Sequence, residues 1–145
     1  MSRIATVAGA QMGPIEKDEP RQSTVARMIS MMRHAKDRGA DLIVYPELAL
    51  TTFFPRYWME NQEDIDRYFE HEMPGPATQP LFEEANKLDV GFCLGYAELT
   101  EEKGRTRHFN TSIIVDRDGK IAGKYRKVHL PGHHEHEPWR PFQHL

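Results

Sequence analysis

The sequence predicts an α/β fold built on a mixed sheet, and three observations carry that prediction. A small-residue apolar segment, a long helical pattern and the apolar run Leu42-Ile43-Val44 follow one another, a β-α-β order. That order implies parallel strands joined by a right-handed crossover. Further on, strand-like stretches flank Gly104 and the pair Asp118-Gly119, the turn signals of two antiparallel hairpins.

Each element has its own signal. Residues 3–12 are small and apolar, as in a strand covered on both faces, and Gly13-Pro14 ends them. Residues 19–39 read as a helix. Val25, Met28, Ile29 and Met32 form one apolar stripe, Asp18 or Ser23 is a candidate cap, and Gly39 is a candidate C-terminal stop. Residues 41–45 form the second strand. A short polar helix is expected within 61–70, with Ile65 and Phe69 four apart, and Met73-Pro74-Gly75-Pro76 is a rigid linker. Residues 78–88 read as a second main helix with Leu81, Ala85 and Leu88 on one face. In residues 90–99, Phe92, Leu94 and Tyr96 alternate with Gly91, Cys93, Gly95 and Ala97. The bulky face suits a core, and the small face lets another layer approach. Residues 109–115 and 120–125 complete the hairpins. The result is a mixed sheet with helices on one side, without an internal repeat or a second domain.

Composition narrows the function classes. The 145 residues are 39% hydrophobic and 28% charged, which fits one globular domain with a core. The formal net charge of -3 and the lack of a basic stripe argue against nucleic acid as a partner. No apolar run approaches a membrane span, and no secretory signal core is present. A single cysteine, Cys93, rules out an intrachain disulfide framework. A cytoplasmic protein is expected.

Four groups of residues are candidates for chemistry. Glu47 lies just past a strand end, behind Pro46 and ahead of the aromatic loop Thr51-Thr52-Phe53-Phe54-Pro55. Strand ends are where α/β sites are built. Burial among aromatics would raise its pKa and favour it as a proton acceptor; the alternative is a solvated loop carboxylate. The segment Lys124-Tyr125-Arg126-Lys127-Val128-His129 places three cations in four positions. Alternation sets Lys124 and Arg126 on one face and Tyr125 and Lys127 on the other. An inward lysine beside Val128 needs a partner, and Glu47 is a natural one; such a lysine could stabilise an oxyanion. Otherwise the run is a solvated face. The histidines His129, His133, His134, His136 and His144, with Glu135 and Glu137, could line a pocket wall. No helical metal-ligand spacing is present, so no metal is assigned. Cys93, mid-strand between Phe92 and Leu94, reads as inert packing rather than a nucleophile. Phosphate-binding glycine motifs are absent.

The stretches 38–56 (with Tyr45-Pro46-Glu47-Leu48), Glu72-Met73-Pro74-Gly75-Pro76, 91–99 (Gly91-Phe92-Cys93-Leu94-Gly95-Tyr96-Ala97-Glu98-Leu99), Phe109-Asn110-Thr111-Ser112 and 119–132 (with Gly123-Lys124-Tyr125-Arg126-Lys127-Val128-His129-Leu130-Pro131) together resemble the nitrilase, or carbon–nitrogen hydrolase, superfamily. The resemblance runs the length of the chain. The loop 50–56 and the final Arg140-Pro141-Phe142-Gln143-His144-Leu145 are similar to the branch of N-carbamoyl-D-amino-acid amidohydrolases, the D-carbamoylases.

That resemblance implies an α-β-β-α sandwich of the nitrilase type, of which residues 1–145 supply about the N-terminal half. It implies a Glu-Lys-Cys triad in which Glu47 is the general base and Lys127 stabilises the tetrahedral intermediate. The cysteine nucleophile belongs to a later motif that Cys93 does not match, so the chain is expected to be truncated before it and inactive alone. His129 and His144 are expected pocket groups. The implied reaction converts an N-carbamoyl-D-amino acid to D-amino acid, ammonia and carbon dioxide, with no cofactor. The partner is a small molecule, and the complete protein is expected to be a homo-oligomer. The alternatives are another amidase of the superfamily, a β-ureidopropionase, or a non-catalytic binding or assembly module. An uncovered apolar sheet face is expected to make the chain poorly soluble.

Overall fold

A computed structural model of the protein describes residues 4–129. Five strands form one sheet in the order β1-β2-β3-β4-β5: β1 Val7–Gly9, β2 Leu42–Val44, β3 Gly91–Glu102, β4 Arg105–Val115 and β5 Ile121–Arg126. β1, β2 and β3 are parallel; β3, β4 and β5 are antiparallel. This is the mixed sheet the sequence predicts. The helices are α1 Arg21–Asp37, α2 Gln62–Asp66 and α3 Gln79–Lys87, with a 3-10 turn at Phe54–Arg56.

α1 buries Val25, Met28 and Met32 of the expected stripe and only partly Ile29. Its ends correct one expectation. Neither Asp18 nor Ser23 caps it: Pro20 takes the N-cap position, with its fixed φ preset for the first turn, and Asp18 instead pairs with Arg67. The C-terminal end closes as expected, with Gly39 N–H donating to Lys36 and Ala40 N–H to Ala35.

The first strand is shorter than residues 3–12, because only three residues find partners on β2. The first hairpin is tighter than expected. Lys103 and Gly104, both with positive φ, make a two-residue turn, so β3 and β4 run on to Glu102 and Arg105. At the second hairpin only Gly119 has positive φ. The Asp116 carboxylate accepts from the N–H groups of Asp118 and Lys120 and holds that turn.

Side-chain alternation gives the sheet two unlike faces. On one, Ile43, Phe92, Leu94, Tyr96, Ile113 and Val115 pack against α1 and α3. The ring of Phe92 meets Phe82 of α3 edge-on at 5.1 Å, and Arg33 of α1 pairs with Glu84 of α3 at 2.7 Å. The other face carries no helix over Val44, Cys93, Ile114 and Tyr125. Val44 is 39% exposed, Ile114 42% and Tyr125 59%, the uncovered apolar surface expected from the sequence. Further along β3 the same face is covered at Ala97 and Leu99 by a second cluster. There Leu48, Phe54, Met59, Ile65, Tyr68 and Phe69 meet, with Phe54 and Tyr68 stacked at 4.9 Å. α2 thus lies on the side opposite α1 and α3 rather than with them as expected, held by burial of Ile65 and by Asp66, which lies 2.7 Å from His108.

Candidate active site

The free edge of β3 is occupied in sequence by three pieces of chain. β2 pairs with Gly91–Cys93; then Tyr45 N–H donates to Cys93 and Ala49 N–H to Gly95; then Glu70 N–H donates to Ala97. The middle piece is the turn that carries Glu47. It passes so close to β3 that a Cβ at residue 95 would lie 3.0 Å from Glu47 Cα, 3.1 Å from the Pro46 carbonyl and 3.2 Å from Leu48 N. All three are backbone atoms, so a side chain there would have to push the Glu47 turn away by a few tenths of an ångström. Leu48, next to the carboxylate, has φ +50 and is 2% exposed. Its left-handed backbone costs about 1–2 kcal/mol, which its burial in the second cluster offsets. Tyr45 points away from Glu47 and donates to the Met28 carbonyl at 2.8 Å.

Glu47 meets its partners on the face opposite α1 and α3. Lys127 Nζ donates to Glu47 Oε1 at 2.7 Å, and Asn110 Nδ2 donates to the same oxygen at 2.6 Å. Lys127 follows the end of β5, and its backbone N–H donates to the Asn110 carbonyl at 2.8 Å. The partnership of Glu47 and Lys127 anticipated from alternation is thus present, between groups 80 residues apart. Among the described residues, no group donates to Glu47 Oε2.

The electrostatics correct the expectation for Glu47. Its side chain is 49% exposed rather than buried among aromatics, because Tyr45 and Phe54 pack into the two cores instead of around it. Its pKa is lowered, not raised. The Lys127 hydrogen bond is the main cause, partial burial opposes it, and the Asn110 hydrogen bond adds to it. The carboxylate is therefore ionised at neutral pH and able to accept a proton. Cys93 lies in mid-strand, and burial pushes its thiol up, as for an inert packing cysteine.

Lys124 and Arg126 go to the opposite face, as alternation predicts. There they grip Glu98, which is 6% exposed. Lys124 Nζ lies 2.5 Å from Glu98 Oε1, Arg126 Nε 3.0 Å from Oε2, and Thr111 donates its hydroxyl to Oε2 at 2.6 Å. Burial pushes the Glu98 carboxyl up, but the bonds from Arg126, Lys124 and Thr111 outweigh it and bring it down to about 2. Arg126 also stacks on Phe109 at 3.8 Å and pairs with Glu102. This cluster fixes the end of β5, one residue before Lys127.

Asn110, Gly95 and Glu98 lie in stretches that carry the family resemblance, but the sequence assigns none of them a role. The small face of β3 was the one signal that pointed toward Gly95. His129 is exposed, two residues beyond Lys127. His144 and His133, His134 and His136 lie outside the described residues. Among the described residues, no group of three or more His, Cys, Asp or Glu is placed to hold a metal ion. No helix among them is long and apolar enough to cross a membrane. A groove lined by Lys17, Asp18, Arg21, Arg67 and Glu70 contains neither Glu47 nor Lys127, and its Arg21 and Arg67 are paired with Glu70 and Asp18.

Comparison with known proteins places the geometry in context. Residues 5–144 match the family model described as carbon-nitrogen hydrolase. The chain is 30% identical over 110 residues to omega-amidase NIT2 of Homo sapiens, covering 76% of this chain and 36% of that protein. It is 27% identical over 131 residues to N-carbamoylputrescine amidase of Solanum lycopersicum, covering 90% of this chain and 40% of that protein. The crystal structure of Saccharomyces cerevisiae Nit3, a member of branch 10 of the nitrilase superfamily, superposes with a TM-score of 0.67 at 25% identity, covering 87% of this chain and 45% of that one. A carbon-nitrogen hydrolase from Helicobacter pylori shares the fold with a TM-score of 0.69 at 22% identity, over 88% of this chain and 40% of that one. The chain thus spans less than half the length of these relatives.

Proposed function

Because the chain belongs to the carbon-nitrogen hydrolase family, we propose that Glu47 and Lys127 are two parts of an active site that hydrolyses a linear, non-peptide C–N bond. The third part is a cysteine nucleophile other than Cys93, supplied by residues outside this sequence. The observation that carries the reading is the convergence of Lys127 and Asn110 on one oxygen of Glu47, at the end of a parallel strand.

The chemistry follows from these groups. An ionised Glu47 takes the proton of the attacking thiol and passes it to the leaving nitrogen as the C–N bond breaks. It then draws a proton from the water that hydrolyses the acyl-thioester. Lys127, beside it, is placed to offset the negative charge that develops on the carbonyl oxygen. No cofactor is needed for this sequence of steps.

The finer substrate we propose is an N-carbamoyl-D-amino acid. With one water it yields D-amino acid, ammonia and carbon dioxide. The aromatic loop 50–56 and the end segment 140–145 support this choice, as does the carbamoyl group in the name of the tomato relative. The omega-amidase relatives support the competing reading of a simple amide substrate. We further propose that His129 and His144 orient groups in the pocket, and that the complete protein acts as a cytoplasmic homo-oligomer.

Two measurements test the proposal. The purified 145-residue chain should not turn over N-carbamoyl-D-phenylglycine; measurable turnover refutes the external nucleophile. The chain extended through the missing cysteine should hydrolyse the carbamoyl substrate in preference to amides and nitriles, and its Glu47→Gln form should lose about 10²–10⁴ in rate. A preference for amides would replace the carbamoyl assignment.

A further inference from the structure

We propose that Asn110 is a positioning residue that fixes which oxygen of Glu47 handles the proton. It does so by holding Oε1 together with Lys127 and leaving the work to Oε2. The proposal rests on the assignment of Glu47 as base and deepens it.

Three contacts lead to it. The Asn110 side chain donates to Glu47 Oε1 at 2.6 Å, the oxygen that Lys127 also engages at 2.7 Å. The Asn110 carbonyl accepts the backbone N–H of Lys127 at 2.8 Å. One residue of β4 therefore sets both the carboxylate and the strand end that carries the lysine. Asn110 is itself 8% exposed and sits opposite Ala97, beneath the second hydrophobic cluster. Its side chain is buried, and its one side-chain hydrogen bond among the described residues is the one to Glu47.

The directional consequence is specific. A carboxylate oxygen accepting two donors, one of them cationic, has its lone pairs engaged, and protonating it breaks one of those bonds. Protonation of Oε2 breaks neither. A lone lysine, on a flexible four-carbon stem, would fix the charge but not the plane of the carboxyl group. The amide adds a second donor from a different direction and removes that rotational freedom. The face of Glu47 presented to a reacting group is then single-valued.

The test uses the 145-residue chain itself and does not require turnover. In the native chain, the side-chain N–H₂ resonances of Asn110 should titrate with the midpoint of the Glu47 carboxyl carbon. In Asn110→Ala that midpoint should rise by about one pH unit, the size expected for loss of one charge-assisted hydrogen bond. In the isosteric Asn110→Asp it should rise further, because a donor becomes a second carboxylate. Backbone amide shifts of β3 and β5 away from the site should stay in place, which separates positioning from a general loosening of the sheet. Asn110 resonances that stay flat through the Glu47 titration would overturn the proposal, with or without folded variants. So would one Glu47 midpoint shared by all three chains. Full turnover by the extended Glu47→Gln enzyme would instead sink the assignment of the base, leaving the titration to stand.

Discussion

Replacing Glu98 by glutamine removes the charge that anchors the end of β5 while keeping its shape. The carboxyl falls from an ordinary 4.5 to about 2 in the folded chain, which corresponds to about 3 kcal/mol of stabilisation at neutral pH. Its partners Lys124 and Arg126 keep 41% and 32% of their side-chain surface in solvent, and they rehydrate when the charge is lost. That screening trims the expected cost of Glu98→Gln to about 2 kcal/mol. Urea unfolding at pH 7 reads it directly, as does a thermal midpoint lower by about 6 °C. The pH dependence gives the sharper test. Because folding lowers this pKa, the stabilisation is complete above about 4.5 and fades as pH falls toward about 2. Other carboxylates titrate in both chains and cancel in the difference. The gap between native and variant chains should therefore close between pH 4.5 and 2. A gap constant across that range, or no gap at pH 7, would refute the argument that this carboxylate is held by charge.

Gly95→Ala should cost about 1–3 kcal/mol by overpacking, since the added Cβ meets only backbone atoms of the Glu47 turn. It should also shift the Lys127 Nζ resonance as the 2.7 Å contact opens; a crystal structure with that contact intact would count against the steric account. The double variant Ile114→Thr with Tyr125→Ser should bind less of a hydrophobic dye and stay soluble at higher concentration, with stability changed by less than about 0.5 kcal/mol. Unchanged dye binding would mean that the exposed patch at Val44, Ile114 and Tyr125 is not the sticky surface.

The parts of the fold that rest on local patterns were legible in the sequence. The stripe Val25-Met28-Met32, the alternation of Phe92, Leu94 and Tyr96, and the opposed faces of Lys124 and Lys127 all read correctly. They depend on helical and strand periods, which neighbours in sequence display. What escaped depends on who meets whom across the sheet. Asn110 reaches Glu47 over 63 residues, and although both lie in stretches that carry the family resemblance, no local pattern pairs them. The close passage of the Glu47 turn over Gly95, from 48 positions earlier at Glu47, is invisible in the local run Leu94-Gly95-Tyr96. Glu47 itself was misjudged because aromatic neighbours in sequence suggested an apolar shell. In space Tyr45 and Phe54 turn into two different cores and leave the carboxylate to Lys127 and water. The cap of α1 failed for a simpler reason: Pro20 already fixes the helix entry, and Asp18 has a better partner in Arg67.

The span between Glu47 and Lys127 also sets a timetable. The two groups are 80 residues apart. At a synthesis rate of about 5–20 residues per second, the lysine is made roughly 4–16 s after the glutamate. The three parallel strands can align as soon as β3 emerges, and the two hairpins then add by short, fast closures. A nascent chain therefore carries a solvated acid on a nearly finished sheet until its last strand docks. The Glu47–Lys127 pair is assembled by the final step of building the sheet, so any stall or cleavage before β5 leaves Glu47 without its charge partner.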